Sequence, residues 1–354
     1  MSRCDLQIEL DRGEESFRSG DTISGTVRVR AASDVTCSVL TLTMQWRTHG
    51  YGNRARGGKQ VERLFSGEWE AGQSSAFPFS LTLPDEPPSL SGKLINVGWY
   101  LEARADVPWA IDPKTEIEVV VTPGDLPPMP ETTGPRQSSG SGGAQVFATL
   151  IGAFFMCSSL MFCVFGGGFG LIGLLPMLSG NVGVEGLLFA LMPMMFICLP
   201  IPFIAIGGWL VYRGVRNRLA QQRLGTVTLS VEEATLRTGD TVSFALTFAP
   251  RAEVLFHHIT ATLIGQEVAT SGHGTNRTTR RHAFCTEKQA LWENRRVMKG
   301  ESISLDGTLT IPADAPSSFK ANDNMVGWAL KMELDVEGWP DWKDEVALVV
   351  LRGG

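Results

Sequence analysis

The side chains best suited to metal or nucleophilic chemistry are five histidines and six cysteines, and their spacing supports neither use. His257 and His258 are neighbours, so on a strand they point to opposite faces and cannot share an ion. His273, His282 and Cys285 are grouped too loosely to form a ligand pattern. Cys4, Cys37, Cys157, Cys163, Cys198 and Cys285 contain no CxxC pair. They read as free, buried thiols of a reducing compartment rather than as a disulfide framework. No HExxH, GxSxG, Walker A loop or strand-linked GxGxxG occurs. The expectation is a non-enzymatic chain with no catalytic residue, no metal site and no cofactor.

Basic residues are the sharper signal. Arg47, Arg54, Arg56, Lys59 and Arg63 crowd residues 47–63 against the single Glu62, and a second group holds Arg277, Arg280 and Arg281 between His273 and His282. Each group falls in a Gly- or Thr-rich loop. Such loops could touch anionic lipid at about 1 kcal/mol per charge, or grip an acidic or phosphorylated peptide through bidentate arginine. They could equally be solvated hairpin tips with no partner. Both flanking regions are acidic: residues 1–136 carry 14 Lys/Arg against 19 Asp/Glu (net −5), and residues 219–354 carry 14 against 17 (net −3). Nucleic acid is therefore not an expected partner.

The elements that must position these loops form a repeat. Phe17-Arg-Ser-Gly-Asp-Thr-Ile-Ser24 matches Leu236-Arg-Thr-Gly-Asp-Thr-Val-Ser243, and each turn leads into a period-2 run. Leu83-Pro-Asp-Glu-Pro-Pro-Ser89 matches Ile311-Pro-Ala-Asp-Ala-Pro-Ser317, and Val97-Gly-Trp-Tyr-Leu101 matches Val326-Gly-Trp-Ala-Leu330. Asp106, Asp112, Lys114 and Glu116 find counterparts in Asp335, Asp341, Lys343 and Glu345. Short strands at turn-marked intervals, without a helical period, predict one antiparallel β-sandwich over residues 1–124 and another over 224–354. Trp99 and Trp328 are expected to fill the two cores.

The Gly-Asp turn, the Leu-Pro…Pro-Pro-Ser segment and the strand ending in Ala105-Asp-Val-Pro-Trp-Ala110 resemble arrestin-like domains. Gly92-Lys-Leu-Ile-Asn-Val-Gly-Trp-Tyr-Leu-Glu-Ala103 is the most specific stretch. The second copy departs from it, with Glu337-Gly-Trp-Pro340 standing where the first has Val107-Pro-Trp-Ala110. The resemblance implies tandem sandwiches that work as adaptors or scaffolds, as arrestins and their relatives in sorting and sporulation control do.

Between the two copies the composition changes. A Pro/Gly/Ser-rich linker covers 125–144, and no charge occurs from Gln137 to Val184 or between Glu185 and Arg213. About 20 apolar residues suffice to cross a bilayer, so two transmembrane helices are expected, over 145–178 and 187–218, joined by an external loop at 179–186. Arg213, Arg216, Arg218 and Arg223 form a basic juxtamembrane end, which by the positive-inside rule places both β domains in the cytoplasm. The polar start, Met1 to Glu15, has no apolar leader run and agrees with that placement. Gly166, Gly170 and Gly173 offer a small-residue face for helix packing. The expected fold is thus mainly β, two arrestin-like sandwiches flanking a two-helix transmembrane hairpin, in an integral protein of the bacterial inner-membrane type. Its expected role is a membrane-anchored adaptor for an unidentified protein partner, with the bilayer as a second partner. The alternative is a structural subunit of a homo-oligomeric membrane assembly.

Overall fold

In the computed structural model, which describes residues 4–13, 16–124, 136–137, 149–161, 163–164 and 200–353, the chain is mainly β. The first domain opens with β1 (Cys4–Leu10), β2 (Ser16–Arg18), β3 (Thr22–Ala31), β4 (Val35–Gly50) and β5 (Arg56–Trp69). It continues with β6 (Ser74–Thr82), β7 (Leu90–Ser91), β8 (Ile95–Asp106) and β9 (Lys114–Thr122). One sheet has the order β1-β3-β6. The other has the order β2-β9-β8-β4-β5, with β7 added on β8. Strand β3 shows why the sheets close face to face. Ile23, Val27, Val29 and Ala31 are buried, whereas Arg28 and Arg30 between them point to water. These side chains meet Leu40, Leu42 and Met44 of β4 and Trp99 and Leu101 of β8 in one core.

The second domain repeats the plan. Its strands are β11 (Thr228–Val231), β12 (Thr235–Arg237), β13 (Thr241–Phe248), β14 (Val254–Ser271), β15 (Thr278–Val297) and β16 (Ile303–Thr310), followed by β17 (Phe319–Ala321), β18 (Asn324–Val336) and β19 (Trp342–Leu351). The orders are β11-β13-β16 and β12-β19-β18-β14-β15, with β17 on β18. Even the one parallel pair of each domain recurs, β2 with β9 and β12 with β19. The repeated Gly-Asp turns are closed alike: Asp21 accepts from the Arg18 N–H at 2.9 Å, and Asp240 from the Arg237 N–H at 2.7 Å. Trp99 and Trp328 are both core residues, and each indole N–H reaches a proline carbonyl, Pro87 at 2.8 Å and Pro316 at 3.0 Å. An indole buried with its N–H satisfied carries no desolvation penalty.

The copies differ at one sheet edge. A short strand from the expected linker, β10 (Arg136–Gln137), pairs with β11 and covers the edge of that sheet. Among the described residues nothing pairs with the equivalent edge of β1.

The transmembrane hairpin is not what the structure shows. No helix among the described residues is long and apolar enough to cross a membrane. Helix α1 is described at residues 149–161 and 163–164. Helix α2 (Pro200–Leu224) carries Arg213, Arg216, Arg218 and Arg223 in its second half. Its last turns belong to the second domain, where Ala220 and Leu224 are buried in the core. The two helices touch through Phe155 and Phe203, stacked with ring centroids 6.1 Å apart. The placement as an integral membrane protein with both domains at the cytoplasmic face rested on that hairpin and is overturned with it. Gly166, Gly170 and Gly173, the 179–186 loop, most of the 125–144 linker and the remainder of both expected spans lie outside the described residues.

Candidate functional site

The two basic groups belong to equivalent hairpins, β4–β5 and β14–β15, but they are not loops as expected: only Arg54 and Arg277 lie in the connections, and the rest stand on the strands, where the fold uses them differently. Arg277 and Arg280 are taken into a seam between the domains. Arg277 pairs with Asp323, and the Arg280 guanidinium lies 4.1 Å from the Tyr51 ring centroid. Asn53, at the β4–β5 tip, reaches across: its amide nitrogen donates to the Gly272 carbonyl at 3.0 Å and to Asp323 at 2.8 Å, and its backbone N–H donates to the Thr270 carbonyl at 2.8 Å. Beneath the tips, Ile95 and Val97 of the first domain close on Ala269 and Val326 of the second, edged by Trp46 and Phe319.

The polar centre of this seam is Glu267, only 3% exposed. Its carboxylate accepts the backbone N–H groups of Lys93, Leu94 and Ile95 at 3.1, 2.5 and 3.3 Å. Three donors offset the cost of taking a carboxylate out of water. The approach is close enough that a Cβ on Gly92 would lie 2.3 Å from the Glu267 oxygen. Glu267 stands opposite Val326 in its sheet, and Thr48 stands opposite Val97 in the other, so the two residues hold equivalent places. Thr48 mirrors Glu267 in contact as well: its buried hydroxyl accepts from Asn324, the counterpart of Ile95, at 3.3 Å.

Arg47, Arg56 and Lys59 line a separate trough. Arg47 is half-buried on the outer face of the β4–β8–β9 sheet, bonded to Glu116 at 2.6 Å and Glu102 at 3.5 Å and lying over Tyr100. Burial, then a hydrogen bond with Glu118, pushes the Tyr100 phenol up to about 12, so it stays protonated beside Arg47. Arg47 forms the floor of this trough of about 720 Å³, whose other charged walls are Arg56, Lys59, Arg104, Lys114, Glu102 and Glu116. Thr41, Thr43, Gln45 and Thr115 supply neutral polar groups. Arg104 is paired with Asp112. Among the described residues Arg56, Lys59 and Lys114 have no ion-pair partner, leaving the trough with cationic capacity to spare. Arg54, Arg63 and Arg281 are exposed and line no part of it. Of the expected juxtamembrane arginines, Arg223 lies on the second domain, its guanidinium 4.5 Å from the Trp339 ring centroid.

Among the described residues no cluster of His, Cys, Asp and Glu is placed to hold a metal ion. Sequence reasoning missed Arg104 and Lys114 as trough residues because they come from β8 and β9, about 50 residues beyond the basic group. It also missed Glu267. A lone glutamate whose partners are backbone N–H groups of another domain has no side-chain signature. The usable signal was its position, one charge within the apolar run of β14.

No family model matches the chain, and no curated protein matches it. Among solved structures, the sporulation control protein Spo0M from Bacillus subtilis is similar at 20% identity over 34% of this chain, with a TM-score of 0.29. The match spans 50% of the length of that protein.

Proposed function

We propose that the chain is a non-enzymatic adaptor that binds an acidic or phosphorylated segment of a partner protein in the trough of the first domain. The observation that carries this reading is the charge of the trough, five cations against two carboxylates on a domain that is otherwise acidic. Arginine forks and threonine hydroxyls on a rigid sheet suit the oxygen-rich groups of such a segment. We read the tandem sandwiches as arrestin-like, supported by the Gly-Asp turns, the Pro-Pro-Ser segment and the shared strand order of the copies. An adaptor role accords with that reading, and the seam would hold the second domain in fixed relation to the bound segment.

Reversing Arg56, Lys59 and Lys114 to Glu tests the proposal. Arg47 is left alone because its removal would strand Glu102 and Glu116. With fluorescent hexaglutamate and phosphoserine peptides as probes, the native chain should bind in a salt-sensitive way. The triple variant should bind at least tenfold more weakly with unchanged circular dichroism. Equal binding by the folded variant would sink the proposal.

A further inference from the structure

The β8–β9 turn of the first domain and the β18–β19 turn of the second are the same turn with different residues at its strained point. The Ala110 N–H donates to the Val107 carbonyl at 3.2 Å, and the Trp339 N–H donates to the Val336 carbonyl at 3.1 Å. The third residue of each turn has positive φ: +59° at Trp109 and +68° at Gly338. The structural register therefore sets Trp109 against Gly338 and Ala110 against Trp339, one place off the match of the two tryptophans made from sequence. Glycine adopts this conformation freely, whereas a bulky side chain is strained in it.

The Trp109 ring is nevertheless fully exposed (102%), and Ile111 beside it is 93% exposed. The turn holds them there firmly. Asp112 accepts the Val107 N–H at 3.2 Å and pairs with Arg104, and the Ala105 N–H donates to the Pro113 carbonyl at 3.0 Å. A strained residue with no internal role, held out in water by a braced turn, points to a contact outside the domain.

The second domain shows what covers this end of the sandwich. The C-terminal turns of α2 lie across two loops. The Arg223 carbonyl accepts the Arg251 N–H at 2.6 Å in the β13–β14 loop, and its guanidinium caps Trp339 in the β18–β19 turn. In the first domain the corresponding loops, β3–β4 and β8–β9, border an open depression of about 810 Å³. Trp109 and Trp69 form part of its wall, with the carboxylates of Asp34, Glu68 and Glu70. No cation lines it, and it shares no residue with the trough.

We propose that this depression docks a cationic amphipathic helix of a partner protein, its apolar face on Trp109 and Ile111 and its arginines among Asp34, Glu68 and Glu70. The arrangement would combine apolar contact on the exposed ring with charge complementarity around it. Anionic lipid is disfavoured, because three carboxylates would face its headgroups.

The probe is a fluorescein-labelled peptide with the sequence of residues 209–224, titrated against the full chain by anisotropy. Saturable binding is expected, weakened at least tenfold by Trp109→Gly and by Glu68→Lys combined with Glu70→Lys. Trp109→Gly should fold normally, since glycine is what the second domain uses there. Failure of the native chain to bind the peptide, or unchanged affinity in both variants, would overturn the proposal. So would Trp109-dependent sedimentation with phosphatidylserine vesicles, which would reassign the surface to lipid. Loss of peptide binding with an intact response to hexaglutamate separates this site from the trough.

Discussion

Removing the Glu267 carboxylate would leave the backbone N–H groups of Lys93, Leu94 and Ile95 without their acceptor, that of Ile95 fully buried. Glu267→Ala is expected to cost about 3 kcal/mol, measurable by urea denaturation. A change within 0.5 kcal/mol would show that water replaces the carboxylate. Trp109→Gly should act in the other direction. Removing the Cβ from this left-handed position relieves about 1–2 kcal/mol, and the added freedom of glycine in the unfolded chain returns about 0.5–1 kcal/mol. A net gain of about 0.5 kcal/mol is expected in the same assay, since the exposed ring has no packing to lose. Asp112 gives the acid response of that turn. Its hydrogen bond with Arg104, followed by the Val107 N–H, holds its carboxyl below the ordinary 3.8. Stabilisation by Asp112 is therefore complete above 3.8 and lost as pH falls through the lowered folded value. Asp112→Asn should flatten the acid limb of the stability profile, and an unchanged limb would contradict the assignment.

Strand and turn were the most legible elements, because each answers to a local rule. A strand with one buried face must alternate, as β3 and β18 do, and the tight Gly-Asp turn needs its residue types in order. Helix α2 was misread because hydropathy records apolar residues without recording what they face. Pro200 to Tyr212 is apolar, yet the continuation through Ala220 to Leu224 is anchored in a β core. The seam was illegible for a different reason: Asn53 meets Gly272 and Asp323, and sequence patterns carry no cue for contacts at that separation. Cysteine placement can be checked at this scale. Cys4 on β1 and Cys37 on β4 share the first core, and burial, aided by the neighbouring Cys4, pushes the Cys37 thiol up to about 11. At pH 8 neither should react with iodoacetamide in the folded chain, while both should react in urea. Mass spectrometry showing equal labelling in both states would refute that packing.

At the scale of the whole molecule, the seam joins two cores that could each close alone. Ile95, Val97, Ala269 and Val326 form a third apolar cluster between them, and Glu267 and Asn324 tie the backbones across it. The two domains should therefore unfold in one calorimetric transition. Gly92→Val, which forces a side chain into Glu267, should split that transition into two while leaving each core intact. Two transitions in the native chain would show that the seam adds no cooperativity. The pairing of Thr48 with Asn324 and of Glu267 with Ile95 has a consequence for how such a contact can change. Around a true twofold axis between identical subunits, every substitution appears twice, so a glutamate would have to suit both halves of an isologous interface. With both copies on one chain, symmetry no longer binds the two positions together. A threonine on one side and a buried acid on the other can then be selected independently, each felt once.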